Sequence, residues 1–289
     1  MVSSYEGNWR KGKFFGFGVL TYQDKSSIES IFLDGVIYSE IRKMIKPNKN
    51  IILGNFEEHN IVQGKGYEID INGDIFVGSF DNLNNACGTS CVKYFLAGGY
   101  YEGSVKNGEM DGEGKIEYPN GDIYTGEFKD NMRHGKGTYV LKNGDIYEGN
   151  YTENKRNGKG VLTTKNGDIY SSEWKDDKLN GQGKILKKDG YAFEGVFLDG
   201  LKEGQGVEHF ANNESYCGAY KKGIKEGKGL YLFKSGDTYK GDWSRDMMNG
   251  QGILITVDGK EIVSKWSNGL LVDDKTSKNK KDDKGCILF

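Results

Sequence analysis

Cysteines and long apolar runs are both scarce in this sequence. The four cysteines, Cys87, Cys91, Cys217 and Cys286, are scattered and too few for a disulfide framework. No run of about 18 apolar residues occurs, and the first 13 residues lack the apolar segment of a signal peptide. We therefore expect a chain that is made and kept in the cytosol.

An excess of either charge is also missing. The 40 basic and 42 acidic residues give a formal net charge of -2 and form no basic stripe of the kind that binds nucleic acid. Apolar residues make up only 36% of the chain, whereas there are 44 glycines, 18 tyrosines, 14 phenylalanines and 4 tryptophans. A sparse apolar set with so many rings predicts something other than a thick globular core.

Residues that commonly perform chemistry are few and far apart. His59, His134 and His209 stand in separate parts of the chain, so we do not expect them to converge on a metal or a catalytic triad. Cys87 and Cys91 lack a third cysteine or a nearby histidine to complete a metal site. The sequence has no Gly-x4-Gly-Lys-Ser/Thr loop, and its Asn-Gly-Asp turns lack the spaced Glu of a calcium loop. We predict no catalytic residue, no cofactor and no metal.

The sequence repeats with a period of 23 residues. Eight units follow each other without a gap, and small insertions lead back to four earlier ones, so that twelve units span residues 5 to about 271. Two residues after the first position of each unit stands Gly or Ser in all twelve units, and four residues after it stands an aromatic in eleven. The first positions are Tyr5, Ile28, Ile52, Phe76, Tyr101, Tyr124, Tyr147, Tyr170, Phe193, Tyr216, Tyr239 and Ile262.

Each unit is predicted to be one β-hairpin. Positions 0, 2 and 4 of an extended segment share one face, so the ring-Gly-ring pattern indicates a strand. A turn, a Gly-x-Gly and a second strand follow, and Asn-Gly at 120–121, 143–144 and 166–167 is a strong hairpin signal, because both central residues of a type I′ turn have positive φ. The glycines leave a shelf on which a ring of the neighbouring strand can lie. The rings of this aromatic ladder, also predicted as a partner-binding face, are Tyr124, Phe128, Tyr147, Tyr151, Tyr170, Trp174, Phe193, Phe197, Tyr216, Tyr220, Tyr239 and Trp243.

Two stretches have the sequence of a known repeat. Residues 147–151, Tyr-Glu-Gly-Asn-Tyr, precede Asn-Gly-Lys-Gly, and residues 124–128, Tyr-Thr-Gly-Glu-Phe, precede His-Gly-Lys-Gly. They resemble the MORN repeat (membrane occupation and recognition nexus). The resemblance implies an all-β, elongated, single-layered, twisted antiparallel sheet of consecutive hairpins, and a role in scaffolding, dimerisation or partner binding near membranes and the cytoskeleton. Twelve hairpins, or about 24 strands, would form a rod roughly 115 Å long.

The repeats differ in regularity. We assign a first repeat to 5–27, divergent repeats to 28–100, regular repeats to 101–271 and a disordered polar tail to 272–289; whether 28–100 is regular, kinked or a separate lobe stays open. A single layer cannot bury its apolar face under a second, and a large apolar patch usually marks an interaction surface. The aromatic or groove face of the regular repeats is thus predicted to bind a partner helix, a peptide or a second copy. The alternative is that twist and long Lys or Arg stems cover the rings.

The last four residues, Cys286 to Phe289, resemble a prenylation (CaaX) box, in which a terminal Phe favours geranylgeranyl. One isoprenoid usually needs a second membrane contact, and the tail's lysines are largely offset by its aspartates. Because the repeats and the tail leave no room for a catalytic domain, we predict a non-enzymatic scaffold, prenyl-anchored at the cytosolic face of the plasma membrane or an endomembrane, that links the membrane to a cytoskeletal or signalling protein. The alternatives are a soluble module that grips a partner helix or peptide, a homodimeric rod and, third, direct binding of lipid headgroups by the array.

Overall fold

In a computed structural model the chain is all-β. The structure describes residues 2–23, 25, 27–38, 42–45, 49–54, 56–57, 60–62, 66–80 and 86–276. These residues form antiparallel strands, as predicted, and include no helix and hence none able to cross a membrane. They fall into two compact units, the first of Met1–Gly144 and Tyr151–Asn154, the second of Asp145–Asn150 and Lys155–Phe289.

The first unit contains two sheets. In order, β1 to β4 form one sheet, and β5, β6 and β9 to β15 follow each other in a second, with β7 and β8 as a separate pair. The strands are β1 (Val2–Arg10), β2 (Lys13–Tyr22), β3 (Ser27–Leu33), β4 (Val36–Tyr38), β5 (Arg42–Ile45), β6 (Ile51–Gly54), β7 (Phe56–Glu57), β8 (Asn60–Val62), β9 (Gly66–Ile69), β10 (Ile75–Phe80), β11 (Ala86–Tyr94), β12 (Tyr100–Lys106), β13 (Glu109–Glu117), β14 (Ile123–Lys129) and β15 (Met132–Val140).

The divergent repeats form a two-layered structure. Phe15 and Ile31 of the first sheet pack against Leu53, Ile69 and Ile75 of the second and bury one aliphatic core. At about 25 cal/mol per Å² of apolar surface removed from water, such a face is more stable covered than exposed. For residues 28–100, whose regularity the sequence left open, the structure therefore differs from the single layer of the regular repeats, because aliphatic residues replace their rings and glycines.

The second unit is one run of hairpins. Its strands are β16 (Ile146–Thr152), β17 (Lys155–Thr163), β18 (Ile169–Lys175), β19 (Lys178–Leu186), β20 (Ala192–Leu198), β21 (Leu201–His209), β22 (Ser215–Lys221), β23 (Ile224–Leu232), β24 (Thr238–Ser244), β25 (Met247–Ile255), β26 (Glu261–Ser267) and β27 (Leu270–Thr276). From β17 to β27 each strand pairs antiparallel with the next. The buried residues of this unit form a cluster dominated by rings.

The two kinds of turn differ from the prediction in which of them has two residues with positive φ. In the turn inside a repeat, both Asp176 (φ 47°) and Asp177 (φ 67°) have positive φ, which is the backbone of a type I′ turn. In the Asn-Gly turn between repeats only Gly167 (φ 92°) has positive φ, while its amide donates to the carbonyl of Thr164 at 2.8 Å. The Asn-Gly dipeptides therefore mark turns correctly, but the paired positive φ values belong to the other turn of each hairpin.

Candidate functional site

The rings of the predicted aromatic ladder are almost all in the interior. Eleven of the twelve expose at most 6% of their surface, and Tyr170 is half-buried. A ring in this position contributes to the core of its unit. The surface open to a partner is therefore formed by other residues of the same strands.

The glycine pair gives each ring its place. Tyr239 of β24 lies across Gly241 of its own strand and Gly252 of β25, and these two glycines pair with each other. A Cβ at Gly252 would stand 2.4 Å from the Oη and Cε2 atoms of Tyr239, closer than any real contact. The shelf predicted for a ring of the neighbouring strand therefore exists, and it also includes the glycine beside the ring on its own strand.

Neighbouring rings meet edge to face. Tyr216 contacts Tyr220 of its own strand at 5.2 Å between ring centroids and Trp243 of the next repeat at 5.2 Å, with interplanar angles of 86° and 79°. Tyr239 repeats the pattern with Trp243 and Trp266, at 5.5 and 5.3 Å. Edge-to-face pairs of this kind stabilise by about 0.5–1.5 kcal/mol each beyond the area they bury. The ladder therefore links each repeat to the following one.

Tyr170 departs from the ladder for a visible reason. At the position where nine of the twelve units have glycine, this unit has Ser172, whose side chain occupies the shelf. The atoms nearest to a Cβ at the paired Gly183 belong to Ser172 and Phe197 rather than to the tyrosine. One hydroxymethyl group is thus enough to keep the ring of Tyr170 off the shelf.

A column of long side chains covers the rings, in agreement with the alternative expectation that Lys or Arg stems do so, although its residues were not identified from the sequence. Its members recur every 23 residues, one after the start of each second strand, so the same period would have revealed them. The guanidinium carbon of Arg156 lies 4.2 Å from the ring centroid of Trp174, and Lys225 Nζ lies 4.9 Å from that of Tyr231. Such cation–π contacts combine with apolar stems to shield the ladder. The column is Arg133, Arg156, Leu179, Lys202, Lys225 and Met248.

One carboxylate is enclosed within this cover. Glu208 is 4% exposed and accepts hydrogen bonds from Tyr191 Oη at 2.6 Å, Tyr220 Oη at 2.7 Å and the ammonium of Lys202. Burial alone raises the pKa of Glu208, but the three donors outweigh it and hold the pKa below its usual range. Burial also lowers the pKa of Lys225. Because the carboxylate of Glu208 is buried and its three donors enclose it, we assign this cluster to the core.

The opposite face of the second unit is open. Residues paired across neighbouring strands point to the same face, and one such set crosses six strands. Four of its five apolar members are half-buried, although no part of the described chain packs over them, and Lys240 interrupts the set. This apolar row consists of Val207, Cys217, Leu230, Ile253 and Val263, in the pairing order Val207–Cys217–Leu230–Lys240–Ile253–Val263.

A groove follows the apolar row. Leu230, Ile253 and Val263 line a depression of about 570 Å³ whose floor includes Gly229 and Gly252. At one border of the same face, residues that begin alternate strands are exposed by 36% to 72%, so the apolar surface continues beyond the groove. These border residues are Leu201, Ile224, Met247 and Leu270.

Toward the start of the unit the same face becomes polar. The row continues backwards as Glu194, Lys184 and Ser171, and Lys184 forms a salt bridge with Glu194 at 3.3 Å. Near the groove, Lys228 is paired with Asp242, while Lys240 and Lys265 are exposed. This row is thus polar and neutral at β18 to β20 and, apart from Lys240, apolar at β21 to β26, while Ile169 and Leu186 are exposed elsewhere on the same face.

The remaining predicted residues do not form a site within the described chain. Cys91 Sγ lies 3.4 Å from the carbonyl oxygen of Cys87, and no group of three or more metal-ligating side chains occurs among the residues the structure describes. His134 lies in β15 and His209 in β21. His59 and the predicted lipidation residue Cys286 lie outside the described residues.

Comparison with known proteins identifies the repeat. The family model of the MORN repeat matches residues 5–27, 101–123, 124–146, 147–169, 170–190, 193–215, 216–238 and 239–261. No curated protein matches the chain.

Two solved structures are similar to parts of it. The TCP domain of SAS-4 (dCPAP) from Drosophila melanogaster, in complex with a proline-rich motif of Ana2 (dSTIL), is 21% identical over 53% of this chain and 84% of that one, with a TM-score of 0.32. The wild-type TCP10 domain of Danio rerio CPAP is 11% identical over 82% of this chain and 100% of that one, with a TM-score of 0.38.

Proposed function

Since this chain belongs to the MORN repeat family, whose model matches more than half of it, we propose that it is a non-enzymatic scaffold that binds a protein partner in the groove of its second unit. The observation that supports this is the contrast between the two faces. The rings are buried and covered, whereas the apolar row is half-buried beside an apolar border. An uncovered apolar surface of this kind is typical of an interaction site.

The spacing of the apolar row fits an α-helix laid across the strands. Strands lie about 4.8 Å apart, so the five steps from Val207 to Val263 span about 24 Å. On a helix, residues three or four apart are separated by about 4.5–6 Å along the axis, and about 16 residues would span the row. An amphipathic helix with apolar residues at this spacing can place one side chain between each pair of neighbouring strands.

The groove is tested by charge substitutions. Leu230→Asp and Ile253→Asp place carboxylates in the groove, and Val257→Asp, at a turn residue that is 76% exposed, is the matched control. Proteins captured from a lysate by the wild-type chain should be lost with both groove variants and retained with the control. A capture profile that all three variants share with the wild type would refute the groove as the binding site.

We further propose that Cys286 bears an isoprenoid that holds the scaffold at a membrane. This rests on the sequence Cys-Ile-Leu-Phe, since a thioether-linked isoprenoid binds bilayers by about 0.8 kcal/mol for each buried CH₂ group. The intact mass from a eukaryotic host should show the lipid, and Cys286→Ser should move the protein to the soluble fraction. Unchanged partition of the variant would refute the anchor and leave the soluble binding module.

The homodimer is a separate outcome of the same experiments. If the occupant of the groove is a second copy, sedimentation should show a concentration-dependent dimer for the wild type. Leu230→Asp should then be monomeric at the same concentrations, and Val257→Asp should still dimerise. A monomer at every concentration would exclude this form of the scaffold.

A further inference from the structure

We propose that the groove is also the binding site of the chain's own C-terminal segment, residues 282–289, which competes there with the partner. Docking of this segment requires only the groove and does not depend on a partner. Only its competition with a partner rests on the proposed function. Three features support it: the chemistry of the segment, the charge of the groove and the length of the connecting chain.

The chemistry of the segment matches that of the groove. Residues 282–289 read Asp-Asp-Lys-Gly-Cys-Ile-Leu-Phe, an acidic pair followed by apolar residues. The groove offers Leu230, Ile253 and Val263 as an apolar lining. Burying such side chains against each other removes apolar surface from water on both partners, at about 25 cal/mol per Å². The last residues of the segment therefore gain more from the groove than from solvent.

Charge favours the same placement. Lys228 forms an ion pair with Asp242, whereas Lys240 and Lys265 on the same face are exposed, and Lys265 lies opposite Asp273 in the strand register. Their ammonium groups suit the two carboxylates of Asp282 and Asp283, and such complementarity sets the orientation of a bound segment more than its affinity. The neutral Lys184–Glu194 end of the face offers no comparable attraction.

The connecting chain is long enough to bring the segment to the groove. Thr276 at the end of β27 is the last residue that the structure describes, and Lys275 pairs with Val263, so the described chain ends beside the apolar row. The ten residue steps from Thr276 to Cys286 extend over at most about 36 Å. Leu230 in β23 is four strands from β27, or about 19 Å, whereas β17 is ten strands away, or about 48 Å. Cys286 can therefore reach the groove, whereas β17 lies beyond its reach.

Docking of this segment would regulate the scaffold. A segment that lies in the groove excludes a partner helix from the same apolar row. A lipid on Cys286 that inserts in a bilayer draws the segment away from the groove. The groove is then open when the chain is on a membrane and closed when it is not.

A photo-crosslinking experiment on the full chain tests the docking. Phe289→p-benzoylphenylalanine is introduced in bacteria, which do not prenylate proteins, and the adducts are located by mass spectrometry after irradiation. Intramolecular adducts are expected on β23 to β26. They should fall about tenfold or more in Leu230→Asp, because a carboxylate replaces an apolar contact, and should persist in the control Val257→Asp.

The result is interpretable without the variants. Adducts on other strands, adducts that join two chains, or no adduct would each overturn docking in cis, and circular dichroism checks that the variants fold. Competition is measured separately, with the variant Ile287→Asp in the unlipidated chain. This variant should increase partner capture several-fold. Unchanged or lower capture would refute competition. If no partner binds in the groove, the crosslink on β23 to β26 should still form. The two proposals can therefore fail separately.

Discussion

Replacing Gly252 with alanine tests the physical basis of the aromatic ladder. The new methyl group would lie 2.4 Å from Tyr239 Oη and 2.5 Å from its Cζ, and the ring must move by about 1 Å to restore ordinary contact. Gly252 is not among the glycines with positive φ, so the alanine backbone itself is unstrained. The clash with the ring therefore determines the loss in the free energy of unfolding.

The expected loss is about 2–3 kcal/mol in the free energy of unfolding. Overpacking a buried site costs about 1–3 kcal/mol, and displacing Tyr239 weakens its edge-to-face contacts with Trp243 and Trp266, each worth about 0.5–1.5 kcal/mol. Alanine also lowers the conformational entropy of the unfolded chain, which stabilises the folded state by about 0.4–1 kcal/mol. Urea unfolding followed by circular dichroism measures the difference. Gly259→Ala is the control, since no atom lies within 4 Å and only its φ of +83° opposes alanine, at about 1–2 kcal/mol.

A double-mutant cycle separates the clash from other effects. Tyr239→Ala alone should cost about 3–5 kcal/mol, as large-to-small changes of buried rings do. In the double variant the methyl group of Gly252→Ala meets no ring, so the two losses should fall short of additivity by about 2 kcal/mol. Losses that add to within about 0.5 kcal/mol would show that the ring and the glycine are independent, and the shelf would be refuted.

Three further predictions concern the same core. Ser172→Gly should let Tyr170 occupy its shelf and raise the thermal midpoint in calorimetry, and an unchanged midpoint would mean that the serine is not the obstacle. Burial raises the pKa of Tyr147 and Tyr239 to about 12, above the unfolded value near 10. Stability should thus be complete below pH 10 and fall as pH rises through about 12; the ionisation of these two rings and the change in circular dichroism should occur together, and ionisation of either ring near pH 10 in a folded chain would contradict this. Glu208→Gln removes the charge that three donors share and should cost about 1–3 kcal/mol in urea unfolding at pH 7, whereas an unchanged midpoint would show that the charge is dispensable.

The repeat by itself determined most of the fold. Hairpin connections are local, since each strand pairs with the next one along the chain, and a 23-residue pattern of ring, glycine and ring is readable without distant contacts. The same pattern located the rings and their shelves. The divergent stretch was not predictable in this way, because the packing of Phe15 and Ile31 on Leu53 and Ile75 joins residues far apart in sequence.

Only the tertiary structure decided which face is open. Alternation assigns residues to two faces, but it does not say which one is covered. The column of Arg133, Arg156, Lys202 and Lys225 covers the rings because the strand register places each cation above a ring of the neighbouring strand. The apolar row exists because the same register aligns Leu230 and Ile253, which are 23 residues apart, on one side of the sheet. Sequence spacing determined the hairpins and their rings, and the pairing of strands decided which face of the sheet is exposed.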